Sequence, residues 1–140
     1  MDKKTIMDKT KKEKRTLLTE IESKELLREA GINIIETKLA SSAREAVSLS
    51  KEFGFPVVLK ISSSEIIHKS DSGGVKTGLK NATQVSKAYK EIITLVKQKH
   101  PEAAIAGVSV QPMVKTGVEV IIGMSKDAQF GPVLMFGLGG

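Results

Sequence analysis

From Leu17 onward the chain alternates helical and extended patterning, and this alternation restricts the fold more than any other feature. Thr19 and Glu22 have capping-box spacing and predict a helix start. Leu26, Leu27 and Ala30 follow, and Gly31 offers a left-handed stop. Ile32–Lys38 reads as a short strand. Ser42 and Glu45 repeat the capping spacing and open a second helix, with Ala43, Ala46, Val47 and Phe53 inward and Gly54 at its end. The run Val57-Val58-Leu59-Lys60-Ile61, entered through Phe55-Pro56, predicts a central strand with proline at its start. Residues 62–74 are polar and end in glycines, so they form a loop; Val75–Leu79 is extended again. Asn81 and Gln84 cap the longest helix, where Val85, Ala88, Tyr89, Ile92, Ile93 and Val96 fall on one face until His100-Pro101. Three strands follow, over about 105–111, 118–124 and 132–136. The order αβαβ-loop-βαβββ predicts an α+β fold, an α/β sandwich whose mixed sheet carries helices on one face, and not a doubly wound parallel sheet.

Composition narrows the function classes. A chain of 140 residues has room for one domain with a real core. Its 40% hydrophobic and 27% charged residues are ordinary for a globular protein. No apolar run approaches the ~20 residues of a membrane helix, so no membrane association and a cytoplasmic location are expected. The absence of cysteine removes disulfides, thiolate metal sites and a cysteine nucleophile. The net charge of +6 is concentrated at the start, where residues 1–15 hold seven basic against three acidic side chains. That stretch reads as a disordered basic tail, leaving 16–140 as the folded part. Nucleic acid is an unlikely partner, because four Phe, one Tyr and no Trp give few stacking platforms.

Four places carry chemistry. Lys60 alternates with the apolar Leu59 and Ile61, so it is either a fixed charge for a phosphate oxygen or a lysine reaching solvent. In the loop Ile67-His68-Lys69-Ser70-Asp71-Ser72-Gly73-Gly74-Val75, His68 can serve as base, ligand or phosphoryl acceptor, or stand on the surface of a polar turn. No metal is expected there, since the other histidine, His100, has no ligand spacing with it. Gln111-Pro112-Met113-Val114 is a proline-containing connection able to offer backbone groups to a purine edge, and Glu119 is a lone carboxylate on an apolar strand. Phe136-Gly137-Leu138-Gly139-Gly140 lacks the Lys-Ser/Thr of a P-loop.

Taken together, Leu26-Leu27-Arg28-Glu29-Ala30-Gly31-Ile32, Phe55–Lys60, Ile67–Val75, Gln111–Val114 and Gly117–Gly140 occur in the order and spacing of a known family. Over residues ~17–140 the chain resembles the ATP-grasp domain of NDP-forming acyl-CoA synthetases, which in two-subunit members is the β subunit of ADP-forming acetate–CoA ligase. The His-Lys-Ser-Asp-x-Gly-Gly-Val segment is the more specific match; the strand lysine and the Gly-x-Glu element are common to ATP-grasp proteins. The resemblance implies that Lys60 holds nucleotide phosphates and that Gln111, Pro112, Met113 and Val114 form the hinge reading adenine. Glu119 would lie near the ribose or metal, and His68 would carry the phosphoryl group, an imidazole N–P bond being labile. It implies ATP or ADP as cofactor, with Mg²⁺ held by residues of a second lobe truncated at Gly140, so that this chain alone is catalytically deficient. It also implies a CoA-binding α subunit, or fused domains, carrying the acyl-CoA site. The alternative is a truncated, non-catalytic module that binds a nucleotide or a partner; a third, the ATP-grasp part of a protein acyltransferase, needs an acetyltransferase domain.

Overall fold

The structure is a computed structural model that describes residues 2–66 and 69–139. Its elements run α1 (Lys3–Lys12), α2 (Glu20–Glu29), β1 (Lys38–Ala40), α3 (Ala43–Phe53), β2 (Val57–Ser62), β3 (Val75–Leu79), α4 (Ala82–Lys99), β4 (Gly107–Pro112), β5 (Val120–Asp127) and β6 (Gly131–Leu138). The capping signals act as the sequence suggests at Thr19, where both halves of the capping box form, and at Asn81, whose side chain accepts from the Gln84 amide. At Ser42 only half of the box exists: the Glu45 carboxylate turns instead to the amide and hydroxyl of Ser41.

Four strands form one sheet in the order β1-β4-β2-β3. β4 lies between β1 and β2, and β2 between β4 and β3, so the crossovers through α3 and α4 are two interlocked split βαβ units. This corrects the expectation of a mixed sheet: every pairing among the described residues is antiparallel, because each pair of parallel strands is separated by an inserted one. Alternation then sets the faces. Val57, Leu59 and Ile61 of β2, with Val108 and Val110 of β4, meet Val85, Ala88, Ile92 and Val96 of α4 and Ala46 of α3 in the core. Burying each of these large side chains contributes on the order of 1.5–3 kcal/mol. Lys60, Ser109 and Gln111 lie on the other face, where α2 rather than solvent receives Lys60 and Gln111. Helices are therefore not confined to one side.

Two further expectations change. Residues 32–37 are irregular and the first strand is Lys38–Ala40, shorter and later than the sequence suggests. More importantly, the stretch read as a disordered tail contains α1. Asp2 caps it, Ile6 is wholly buried and Thr10 lies one turn further along the same face. The charge excess counted within residues 1–15 misled, because Glu22, which pairs with Lys9 and Arg15, lies beyond them. Arg15 makes a two-pronged pair with Glu22 at 3.0 and 2.8 Å, and the Lys3 amide donates to Glu29 at 2.6 Å. The remaining strands, β5 and β6, pair only with each other among the described residues.

Candidate functional site

Strand alternation is what aims Lys60 at α2. With Leu59 and Ile61 in the core, the intervening side chain must leave on the opposite face, and Ser109 of β4 stands across from it. Glu20, in the first turn of α2, meets it there: Lys60 Nζ donates to Glu20 Oε1 at 2.7 Å. Lys69, next to His68 in the loop, donates to Glu20 Oε2 at 3.1 Å, and Lys24, one turn along α2, lies 3.2 Å from Oε1. Lys24 also donates to Thr37 Oγ1 at 2.6 Å and to Gln111 Oε1 at 2.9 Å. A continuous polar network thus runs from Gln111 through Lys24 and Glu20 to Lys60 and Lys69.

The electrostatics follow from the count of charges. Burial works to raise the Glu20 carboxyl pKa, but the hydrogen bonds and charges of Lys60 and Lys69 outweigh it and hold it at about 2. Burial pushes the Lys24 ammonium down from its ordinary value, opposed by Glu20. Lys60 is neither fully enclosed nor solvated, with a quarter of its side chain exposed. An anion could approach from that open side.

The loop between β2 and β3 is fastened at its far end. Gly74 donates to the Lys69 carbonyl at 2.7 Å, and its own carbonyl accepts from the Ile61 amide at 2.6 Å. A Cβ on Gly74 would stand 2.5 Å from the Ile61 side chain, so only glycine lets the two backbones meet. Gly73 takes a φ of +71°, the left-handed region. Ser72 Oγ is 3.0 Å from His100 Nε2, and Lys99 donates to the Asp71 carbonyl at 2.7 Å. His100, remote in sequence, is thus a neighbour of this loop. His68 itself lies outside the described residues.

The other sequence-derived candidates are placed less tightly. Gln111 is buried and joined to Lys24, whereas Met113 and Val114 are exposed on the segment leaving β4. The Met113 amide already donates to the Pro56 carbonyl at 3.0 Å, so it is not the group that would read a purine. Glu119 precedes β5, is exposed, and is held by its carbonyl to the Gly139 amide at 2.8 Å. Among the described residues no ion pair or hydrogen bond joins it to Lys60. Sequence reading missed Glu20 and Lys24. Their i, i+4 spacing at the start of a capped helix was the available signal, but it reads equally as a surface pair.

An open groove of about 740 Å³ lies elsewhere, between the first two helices and the sheet, near Arg15, Glu22, Leu39 and Ile105. It contains none of the sequence-derived candidates, and its size alone outweighs neither the charge convergence at Lys60 nor the chemistry of the loop. Among the described residues no group of three His, Cys, Asp or Glu side chains could hold a metal ion. The donors around Lys60 are ammoniums, so the residues present do not fit Mg²⁺. Nor is any helix long and apolar enough to cross a membrane among the described residues.

Several known proteins resemble this chain. The 4-hydroxybutyrate–CoA ligase (ADP-forming) of Nitrosopumilus maritimus is 47% identical over 137 residues, covering 98% of this chain and 20% of that protein. The β subunit of acetate–CoA ligase (ADP-forming) I of Pyrococcus furiosus is 47% identical over 135 residues, 96% of this chain and 58% of that subunit. The chain thus spans between a fifth and about three fifths of these relatives. The acetyl-coenzyme A synthetase 1 of Ca. Korarchaeum cryptofilum, solved with coenzyme A, Ca-AMPCP and HgCl⁺, superposes with a TM-score of 0.95 at 48% identity, over 99% of this chain and 61% of that one. A second structure of that enzyme, with coenzyme A and Mg-AMPPCP, has its phosphohistidine segment pointing towards the nucleotide binding site; it matches at a TM-score of 0.79 and 42% identity, over 99% and 58% of the two chains. The sequence profile of the ATP-grasp domain matches residues 9–140, nearly the whole chain including part of α1, and the chain belongs to that family.

Proposed function

We propose that this chain is the nucleotide-binding part of an ADP-forming acyl-CoA synthetase. The observation that carries the reading is the convergence of three lysine ammoniums on the polar face of β2, in a chain 47% identical to an acetate–CoA ligase β subunit. Lys60 is the residue that holds a nucleotide phosphate, as a compact charge on a rigid central strand. Gln111–Val114 forms the hinge beside the base; with the Met113 amide committed to Pro56, other backbone groups of that stretch read the purine edge. Glu119 lies toward the ribose. ATP and ADP are the nucleotides, and the Mg²⁺ ligands and acyl-CoA site belong to the rest of the assembly, a CoA-binding subunit or fused domains. This chain, α1 included, makes up the N-terminal lobe.

The whole reaction is acyl-CoA + ADP + phosphate ⇌ carboxylic acid + CoA + ATP. Phosphate displaces CoA from the acyl carbon, giving an acyl phosphate. A neutral imidazole nitrogen of His68 then attacks phosphorus: the N–P bond forms as the bond from phosphorus to the acyl oxygen breaks, and the carboxylate leaves with that electron pair. Finally a β-phosphate oxygen of ADP takes the phosphoryl group, the N–P bond breaks, and the nitrogen recovers its lone pair. The reverse direction tests this. In the full-length protein with its CoA-binding part, γ-³²P-labelled ATP places acid-labile label on His68, and His68→Ala abolishes it. Undiminished label on the His68→Ala subunit overturns the carrier assignment.

A further inference from the structure

Three separate elements deliver the lysines: Lys24 from α2, Lys60 from β2 and Lys69 from the loop before β3. Ammoniums brought this close repel one another, and each sits on a flexible four-carbon stem that would otherwise turn outward. What gathers them is one carboxylate whose two oxygens are divided among them, Oε1 to Lys60 and Lys24, Oε2 to Lys69. Glu20 is itself held in place, since it opens α2 immediately after the Thr19 cap. Lys24 is tethered sideways by Thr37 and Gln111, so it is already spent on the network toward the hinge. Among the described residues the Lys60 and Lys69 ammoniums have no such second anchor. Three positive groups against one negative leave two units of positive charge in this four-residue group, on the side where the sheet face is open.

We infer that Glu20 is a positioning residue that holds Lys60 and Lys69 together as a two-lysine clamp, and that this clamp grips the phosphate groups of the nucleotide. The inference rests on the reading of Lys60 given above and extends it to Lys69 and Glu20. Its physical content is preorganisation: the carboxylate bears the cost of bringing like charges together before the phosphate arrives.

The test is ADP binding by calorimetry to the full-length protein with its CoA-binding part, joined to footprinting of lysine amines with acetic anhydride. In the wild type, ADP shields both Lys60 and Lys69 from acetylation. Glu20→Gln weakens ADP binding roughly tenfold, the scale of losing one charge-assisted contact, and abolishes the shielding of Lys69. Glu20→Asp recovers part of both, and Lys69→Ala weakens ADP binding by a similar factor. If Glu20→Gln tightens ADP binding, Glu20 is a competitor for the anion site and the inference is wrong. If it lowers only the melting temperature, with affinity and footprint unchanged, Glu20 is a structural ion pair and the inference is equally wrong. Shielding of Lys60 without Lys69 in the wild type overturns the clamp even if no Glu20 variant folds. Unchanged ADP affinity in Lys60→Ala is a different failure: it overturns the phosphate reading itself, and the clamp with it.

Discussion

In the four-stranded sheet, Leu59 and Ile61 of β2 and Val108 and Val110 of β4 lie wholly buried under α3 and α4; in the β5–β6 hairpin, Ile122, Leu134 and Phe136 keep 74%, 77% and 72% of their surface exposed. The two regions have comparably apolar strands, so apolar content does not separate them. Connection length does. β1 to β2 and β3 to β4 are joined by crossovers long enough to hold α3 and α4, which fold back over the face they leave. β5 to β6 is joined by the turn 128–130, where Asp127 Oδ1 accepts from the amides of Gln129 and Phe130. A turn of that length carries nothing that could cover either face, and a hairpin of two strands is only marginally stable by itself. Among the described residues the core therefore comes from the interlocked crossovers, and the hairpin contributes pairing without a core.

The largest effect expected from this contrast is in truncation to alanine. Leu59→Ala should cost about 2–5 kcal/mol by chemical denaturation of residues 1–140, and Ile122→Ala less than about 0.5 kcal/mol. Equal losses would break the comparison. Adding a methyl group sharpens it from the other side. Gly74→Ala puts a Cβ 2.5 Å from Ile61 and 2.9 Å from the Lys69 carbonyl, and should destabilise by about 1–3 kcal/mol. Gly137→Ala, in β6, meets nothing within 4 Å and should shift the unfolding midpoint by no more than scatter.

The polar face of β2 adds a pH dependence larger than the hairpin's, where the amides of Phe130 and Gln129 hold the Asp127 carboxyl below its ordinary value. The Glu20 carboxyl is held at about 2 against an ordinary 4.5, so folding favours its ionised form. Its stabilisation is complete above the unfolded value and is lost as pH falls from about 5 toward 2. Solvent screening of this partly open cluster reduces the contribution to about 1–2 kcal/mol. Acid denaturation of Glu20→Gln should lack that portion of the wild-type slope; an identical slope would remove Glu20 from the account. At the same end of α2, Thr19→Ala should cost about 1 kcal/mol through loss of the capping box, followed by thermal melting.

Much of the fold was legible because local rules wrote it. The caps at Thr19 and Asn81, the inward face of α4 and the alternation through Leu59, Lys60 and Ile61 all follow from spacing within a few residues. The order of strands was not legible, since the insertion of β4 between β1 and β2 is decided by which edges pair, and many orders satisfy the same pattern. The stretch with α1 failed for a related reason: Lys9 and Arg15 balance against Glu22, which no count within residues 1–15 includes. At the site, Lys60 could be singled out from one strand, whereas its partner could not, because Lys60 and Glu20 are 40 positions apart.

The sequence by itself settled that α2, α3 and α4 are helical and which side of β2 turns to the core, because those are properties of neighbouring residues and of a period of two or 3.6. It also carried the family resemblance, in runs such as Phe55–Lys60 and Ile67–Val75. Only the tertiary structure decided that Lys60 faces a carboxylate rather than water, that His100 reaches Ser72, and that the basic start of the chain is a helix. Each of those depends on groups brought together from distant parts of the chain, and like charges converge only where the fold has already supplied the opposite one.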